Sequence, residues 1–436
     1  MKSSAITIPN SYSKECSADS LFHTKALSLL PHEKCSRITV SFSVLVVTIA
    51  FLNCWWFLST SADNDQQLAL FNIAARSNVD SNEASVSSDT ADGTGEACDF
   101  SRGQWVPDER PPLYTNDTCK YIHPSQNCMS NGRPDRGYLN WRWQQTSSCE
   151  LPPFNAQQFL QGMQHKTMMF IGDSIARNHM QSLLCALAQV EDPQNVYFDV
   201  REKDSTWMFP SYNFTFGNKW SPFLVNHTFE ENVYHIHLDM PDVMWADSLP
   251  EYDIAVLSTG YWYFRPSIYY LNKKILGTNT HSGLNLTTFD KLPAMKIAWE
   301  TVLDYMLKEF KGITIMRTIT VPHFASGSWS TGGGCNKTQP FFDPLMQEPL
   351  PYMSHALAEV QMEEFKKAQD YVRANNIDRS RLRLLNITYN SFLRPDGHPN
   401  SYRIQTLFEP RNDCLHWCLP GPIDTWNQIL MHMLLH

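Results

Sequence analysis

Two short stretches of this chain hold the residue types of acyl transfer at usable spacing. In residues 169–178, MFIGDSIARN, an apolar run ends at Gly172, and Asp173, Ser174 and a helical pattern follow at once. A serine on such a turn exposes its hydroxyl at the carboxyl end of a sheet. The helix behind it offers free N–H groups and a positive dipole end to a developing oxyanion. Gly172 lets the backbone approach a substrate closely. The same Asp-Ser pair also suits a plain helix cap, and the strand–turn–helix context is what raises it above one. In residues 411–427, RNDCLHWCLPGPIDTWN, Asp413 and His416 are three apart. In a compact turn that carboxylate reaches the imidazole, fixes its tautomer and leaves the other ring nitrogen as a base. Together the stretches supply nucleophile, orienting acid and base in the order Ser…Asp…His.

The elements that must position them follow from periodicity. Strands are expected over 167–171, 233–238, 253–257, 312–317 and 382–387, and helices over 175–187, 293–310, 356–375 and 424–435. This alternation implies an α/β layer fold with a mainly parallel sheet. Pro420 and Pro422 stop the histidine loop from continuing as a helix, and Asp424 suits the cap of the helix that follows. Cys414 and Cys418 bracket His416, so cross-links there would hold the loop. Residues 98–155 read as irregular, disulfide-stapled and rich in tryptophan. Trp141 and Trp143, flanking Arg142, suit either a sugar face or, more commonly, a core.

The chain has 436 residues, 42% hydrophobic and 12% aromatic, enough for a large core. Its formal net charge of −9 argues against a nucleic-acid partner, which requires clustered Lys and Arg. Residues 38–58 form a 21-residue uncharged stretch, long enough to cross a bilayer and too long for the core of a cleaved signal peptide. Lys2, Lys14, Lys25, Lys34 and Arg37 precede it, which keeps residues 1–37 cytosolic and everything after residue 58 lumenal. The polar, Ser/Asp-rich residues 59–97 read as a flexible stem. Sequons at Asn116, Asn213, Asn226, Asn285, Asn336 and Asn386 all lie beyond the anchor. So do eight of eleven cysteines, an even set consistent with up to four disulfides of undetermined pairing. No CxxC pair supports a zinc site. His235 with His237, and His432 with His436, have ligand-like spacing but no third partner, so no metal is expected.

CDFSRGQWVPDERPPLY, NGRPDRGYLNWRWQ, FIGDSIARN, FLRPDGHP and RNDCLHWCLPGPIDTWN together resemble the plant trichome-birefringence-like family of Golgi polysaccharide O-acetyltransferases. The resemblance covers the chain from Cys98 to near its end. It implies an SGNH/GDSL-esterase-like three-layer fold over 156–436 with a stapled N-terminal part over 98–155. It also implies double displacement, with Ser174 as acyl-accepting nucleophile, His416 as base and Asp413 as its orienting partner. Oxyanion or substrate contacts are expected among Gly172, Asp173, Arg177, Asn178, Ser258, Gly260, Trp262 and His398. Many relatives carry Asn-x-Gly-His-Trp where this chain has Ser258-Thr259-Gly260-Tyr261-Trp262, so a serine stands where an oxyanion-type asparagine is usual. The continuation YFRPSIYY looks most like the xyloglucan or mannan branch, although Thr278 and His281 replace two cysteines usual there. The resemblance implies no bound cofactor, an acetyl donor as co-substrate, a polysaccharide acceptor, and a single-pass type II place in the Golgi membrane, with room for a membrane protein that supplies the donor. An esterase that uses water as acceptor and a non-catalytic polysaccharide-binding protein are the alternatives.

Overall fold

The computed structural model describes residues 98–436 apart from 146–149, 202, 281–284, 330, 342–348 and 405–411. The expected anchor, tail and stem, together with Cys149 and His281, lie outside the described residues. Among those described, no helix is long and apolar enough to cross a membrane.

The strands are β1 (Gly103–Pro107), β2 (Trp141–Gln145), β3 (Thr167–Gly172), β4 (Gln194–Phe198), β5 (Ser205–Phe209), β6 (Phe214–Trp220), β7 (Val225–Glu230), β8 (Val233–Pro241), β9 (Ile254–Ser258), β10 (Ser267–Leu271), β11 (Lys274–Thr278), β12 (Ile313–Arg317) and β13 (Leu382–Leu385). The longer helices are α1 (Ser174–Leu187), α2 (Lys291–Glu309), α3 (Tyr352–Ala374) and α4 (Asp424–Leu435). The main sheet has the order β13-β12-β9-β3-β6-β5-β4. Its first five strands run parallel, while β5 and β4 continue it antiparallel. A second sheet, β11-β10-β8-β7, flanks it.

Side-chain alternation makes three layers. Along β3, Met168 and Phe170 join the core that includes Ile175 and Leu183 of α1 and Trp426 and Leu430 of α4. Met169 and Ile171 point the other way, into the core of Trp299 and Val302 on α2 and Leu357 and Phe365 on α3. Strand β9 divides likewise, with Ile254 and Val256 on one face and Ala255 and Leu257 on the other. A strand buried on both faces reads as a continuous apolar run, which is why β3 and β9 are visible in the sequence. β4, β7 and β11 are not, because they are edge strands that carry exposed residues.

The N-terminal part is stapled onto this body. Cys119–Cys185 ties it to α1, and Cys128–Cys418 ties it to the histidine loop across a sequence separation of 290. Trp143 is buried, donates from its indole N–H to the Phe100 carbonyl and packs edge-on to Trp105, so it serves the core. Trp141 is half-buried beside a small separate cavity of about 220 Å³.

Asp424 departs from its expected role. It is the first residue of α4, and the capping position is Ile423, which makes no side-chain cap bond. The Asp424 carboxylate instead accepts from Tyr114 Oη (2.7 Å), Ser182 Oγ (2.5 Å) and the Gly421 N–H (2.9 Å). It thereby joins the N-terminal part, α1 and α4 at one buried point. Burial pushes its pKa up to about 6, against the pull of those donors. The folded chain thus holds this proton more tightly than the unfolded chain. That contribution is full below the ordinary carboxylate pKa of 3.8 and is lost as pH rises to about 6. Denaturant unfolding of Asp424→Asn beside the wild type between about pH 4 and 6.5 should show the wild type losing roughly 2–3 kcal/mol relative to the variant. A gap that does not change with pH would mean the carboxyl stays ionised.

Candidate active site

Ser174 stands where β3 hands the chain to α1. Asp173 is the N-cap, its carboxylate accepting from the Ile175 N–H at 2.9 Å, so the capping task falls to Asp173 and not to the adjacent Ser174. Gly172, expected to let the backbone approach a substrate, does not line the cavity around Ser174 and is closely met by the neighbouring strand instead. A Cβ there would run into the Ser258 carbonyl of the neighbouring β9, so the two strand ends can lie together only with glycine at 172. Burial raises the Asp173 pKa, and the buried Arg317 at the end of β12 works against that rise. Burial in turn lowers Arg317 to about 10, opposed by Asp173.

The base arrives on the loop between β13 and α4. His416 Nδ1 lies 2.8 Å from Asp413 Oδ2. The other carboxylate oxygen accepts the backbone N–H groups of Leu415 (3.1 Å) and His416 (3.0 Å). Arg403 Nη1 adds a contact to Oδ2 at 3.3 Å. Burial pushes the Asp413 pKa up, but His416, its backbone N–H and Arg403 outweigh burial and hold the carboxyl well below its ordinary value. An ionised Asp413 only accepts, so Nδ1 of His416 carries the proton and Nε2 presents its lone pair. That Nε2 is buried and has no hydrogen-bond partner among the described residues, Ser174 Oγ included. In an unliganded enzyme such a contact commonly closes only once substrate is bound.

Ser174, Asp413 and His416 line one cavity of about 690 Å³. Asp173, Arg177 and Trp262 line it too. The remaining expected contacts do not. Asn178 accepts from the Trp417 N–H at 2.8 Å and donates to the Trp417 carbonyl at 3.3 Å, joining α1 to the residue after the base. Ser258 is buried, and its hydroxyl has no hydrogen-bond partner among the described residues. Gly260 packs against Ile319, where a Cβ would come within 2.6 Å of a methyl group. His398 is buried behind the loop with Nδ1 2.7 Å from the His416 carbonyl.

The cavity wall is aromatic and cationic in a way that local patterns did not reveal. Arg265 lies between Trp262 and Trp329, with its guanidinium 5.1 Å and 4.4 Å from the two ring centres. Trp220 meets Trp262 edge-on at 5.2 Å. Tyr261, Phe264 and Arg403 complete that side. One signal was available: Trp329 sits in the Gly/Ser-rich SGSWSTGGGC, where a large ring has no helix or strand to pack into. The Cys335–Cys414 disulfide joins that loop to the base loop. Among the described residues no group of three potential ligands could hold a metal ion. His235 instead contacts Tyr270 Oη at 2.8 Å, and His432 and His436 face one another with ring centres 4.8 Å apart.

Residues 151–433 match the family described as GDSL/SGNH-like acyl-esterase found in Pmr5 and Cas1p, and residues 96–150 match the PMR5 N-terminal domain. The chain is 40% identical over 369 residues to protein trichome birefringence-like 25 of Arabidopsis thaliana, covering 81% of this chain and 80% of that protein. It is 40% identical over 350 residues to xyloglucan O-acetyltransferase 3 of Populus trichocarpa, covering 78% and 86%. Against xyloglucan O-acetyltransferase 2 of Arabidopsis thaliana it is 36% identical over 350 residues, covering 77% and 82%.

The Asn178 clamp is separable from the chemistry. Asn178→Ala leaves a buried N–H and a buried carbonyl of Trp417 unpaired, so urea unfolding should show a loss of roughly 2–4 kcal/mol. Asn178→Asp keeps an acceptor for the N–H but turns a buried carboxylate toward the Trp417 carbonyl, so near neutral pH it should lose at least as much. No loss in Asn178→Ala would show that the two bonds contribute little.

Proposed function

The chain belongs to the GDSL/SGNH-like acyl-esterase family, and from that premise we propose that it transfers acetyl groups to hydroxyls of a cell-wall polysaccharide. Xyloglucan is the first acceptor to test and mannan the next. The observation that carries the reading is that Ser174 and the Asp413–His416 pair line one aromatic-walled cavity. The resemblance to two xyloglucan O-acetyltransferases supports the acceptor class. Pyranose rings present C–H faces that stack on indoles, and Trp220, Trp262 and Trp329 offer such faces. The cation of Arg265, held between two of the rings, suits the hydroxyl edges.

The proposed route has two displacements. Ser174 Oγ attacks the carbonyl carbon of an acetyl donor while His416 Nε2 takes the hydroxyl proton. Negative charge collects on the carbonyl oxygen before the positive end of α1. The intermediate collapses, the donor's leaving group departs with the proton from His416, and acetyl-serine remains. A polysaccharide hydroxyl then gives its proton to Nε2 and attacks the ester. Collapse returns the proton to Ser174 and releases the acetylated sugar. Asp413 stays ionised throughout, orienting the ring and stabilising the imidazolium. The donor's identity, and a membrane protein that delivers it, belong to this proposal.

The same reading places the catalytic part in the Golgi lumen behind an anchor at 38–58, with 1–37 cytosolic, 59–97 a stem and 98–155 a stapled lead-in to 156–436. None of the six sequon asparagines is buried, which supports glycan attachment. The family description, an acyl-esterase, favours one second reading in which water replaces the sugar. Supplying acetylated substrate with excess acceptor separates them, because an esterase gives mainly free acetate.

Ser174→Ala and His416→Ala should each lower transfer by about 10⁴-fold or more, and Asp413→Asn by about 10³–10⁴-fold with the fold intact. Combining the first two should add little, since residues that act as a unit are not additive. Intact-protein mass spectrometry after exposure to donor without acceptor should show an acetyl adduct on the wild type and none on Ser174→Ala. Turnover by that variant near the wild-type rate would reduce the serine to a structural residue and overturn the mechanism.

A further inference from the structure

Behind His416 lies a second pair of histidines, His398 buried and His323 half-buried, neither lining the cavity. His398 Nδ1 is 2.7 Å from the His416 carbonyl oxygen. His398 Nε2 is 2.7 Å from His323 Nδ1, and His323 Nε2 is 2.8 Å from the Phe392 carbonyl oxygen. A carbonyl oxygen can only accept, so His398 Nδ1 and His323 Nε2 both carry protons. Two neutral imidazoles have one ring-nitrogen proton each, and those two are now spent. The nitrogens between the rings would then face one another as bare lone pairs at hydrogen-bond distance. Turning either ring over gives no relief, because it puts C–H groups in place of nitrogens at contacts of 2.7–2.8 Å. Three contacts need three protons.

We propose that His323 and His398 share a third proton, forming a monocation that clamps the His416 carbonyl and so positions the base. This rests on the reading of His416 as general base. The charged groups around the pair come from three segments. The base loop brings His416 and Asp413, with Arg403 bound to that carboxylate. The N-terminal part brings Arg133, which donates to the carbonyls of His398 (3.1 Å) and Asp396 (2.7 Å). The segment that carries His398 brings Asp396, bound at 2.9 Å by both Nε and Nη2 of Arg394. Phe341, Phe392 and Trp417 supply the apolar surroundings. Burial works against a charge on either ring, lowering His323 to about 4 and His398 well below the ordinary histidine value, and Arg133 also opposes a charge on His398. The two carbonyls, Asp396 and Asp413 work for it, and so does the bond between the rings, which exists only with the third proton.

As pH rises the proton must leave, and one of the three contacts must then break. Transfer should therefore show an alkaline limb that belongs to this pair. His323→Gln removes the conflict, since its amide can donate to His398 Nε2 and leave His398 neutral. Near pH 6 its kcat should stay within about threefold of wild type, and its alkaline limb should move up by about one pH unit or vanish, with KM unchanged. A purely structural residue would lower kcat equally at every pH, and that result would overturn the proposal. The direct reading needs no variant. With histidine-selective ¹⁵N labelling of the full-length protein, scalar coupling between His398 Nε2 and His323 Nδ1 should appear at about pH 6, with one far-downfield proton. Two neutral rings without coupling would overturn the proposal even if His323→Gln failed to fold. Ser174→Ala should abolish transfer and keep the coupling, so failure of the mechanism and failure of the shared proton give different results.

Discussion

The Asp413 carboxylate is the point on which the geometry of this site depends. Its two oxygens accept the N–H groups of Leu415 and His416, the Nδ1–H of His416 and a guanidinium N–H of Arg403. Four donors on one carboxylate bend three residues of backbone around it. They also keep it ionised despite burial, and an ionised carboxylate dictates which nitrogen of the base is free. A neutral acid would accept fewer of these bonds and would no longer dictate the tautomer of His416.

That small turn needs a rigid frame, and the frame is drawn from distant parts of the chain. Asn400 and Asp413 pair through both backbone N–H groups, at 2.8 and 3.0 Å. The Cys335–Cys414 and Cys128–Cys418 disulfides hold either side of His416. Asn178 fixes Trp417 from α1, and the Gln126 carbonyl accepts from Leu419. A base loop with no regular secondary structure is thus tied to the helix that carries the nucleophile and to the N-terminal part. The stapled segment ahead of the catalytic body is part of the site's support.

The wall of the cavity has a different logic. Trp220, Trp262 and Trp329 come from the end of a strand, a turn and a Gly/Ser-rich loop, and Arg265 joins two of them through ring contacts. Such a surface offers planar faces and cationic edges while the reacting groups sit deeper among carboxylates. The aromatic wall and the Asp413–His416 pair therefore come from separate elements, and one disulfide, Cys335–Cys414, connects the loop that carries Trp329 to the loop that carries His416.

The local sequence determined what depends on neighbours along the chain. The doubly buried β3 and β9 announce themselves as apolar runs, α1 and α2 by their spacing, the nucleophile by its strand–turn–helix context, and the Asp413–His416 contact by a separation of three residues. Contacts between segments hundreds of residues apart leave no such trace. Asp424 looks like a cap beside its own helix, yet Tyr114 and Ser182 claim its carboxylate from elsewhere in the chain. Asn178 and His398 look like substrate contacts until the fold turns them toward the backbone of the base loop. Edge strands such as β4 and β7 escape notice because exposure relieves them of the apolar pattern that burial imposes. Only tertiary structure decided which cysteines pair, which polar groups are buried and which face the cavity, because each of these depends on distance in space rather than along the sequence.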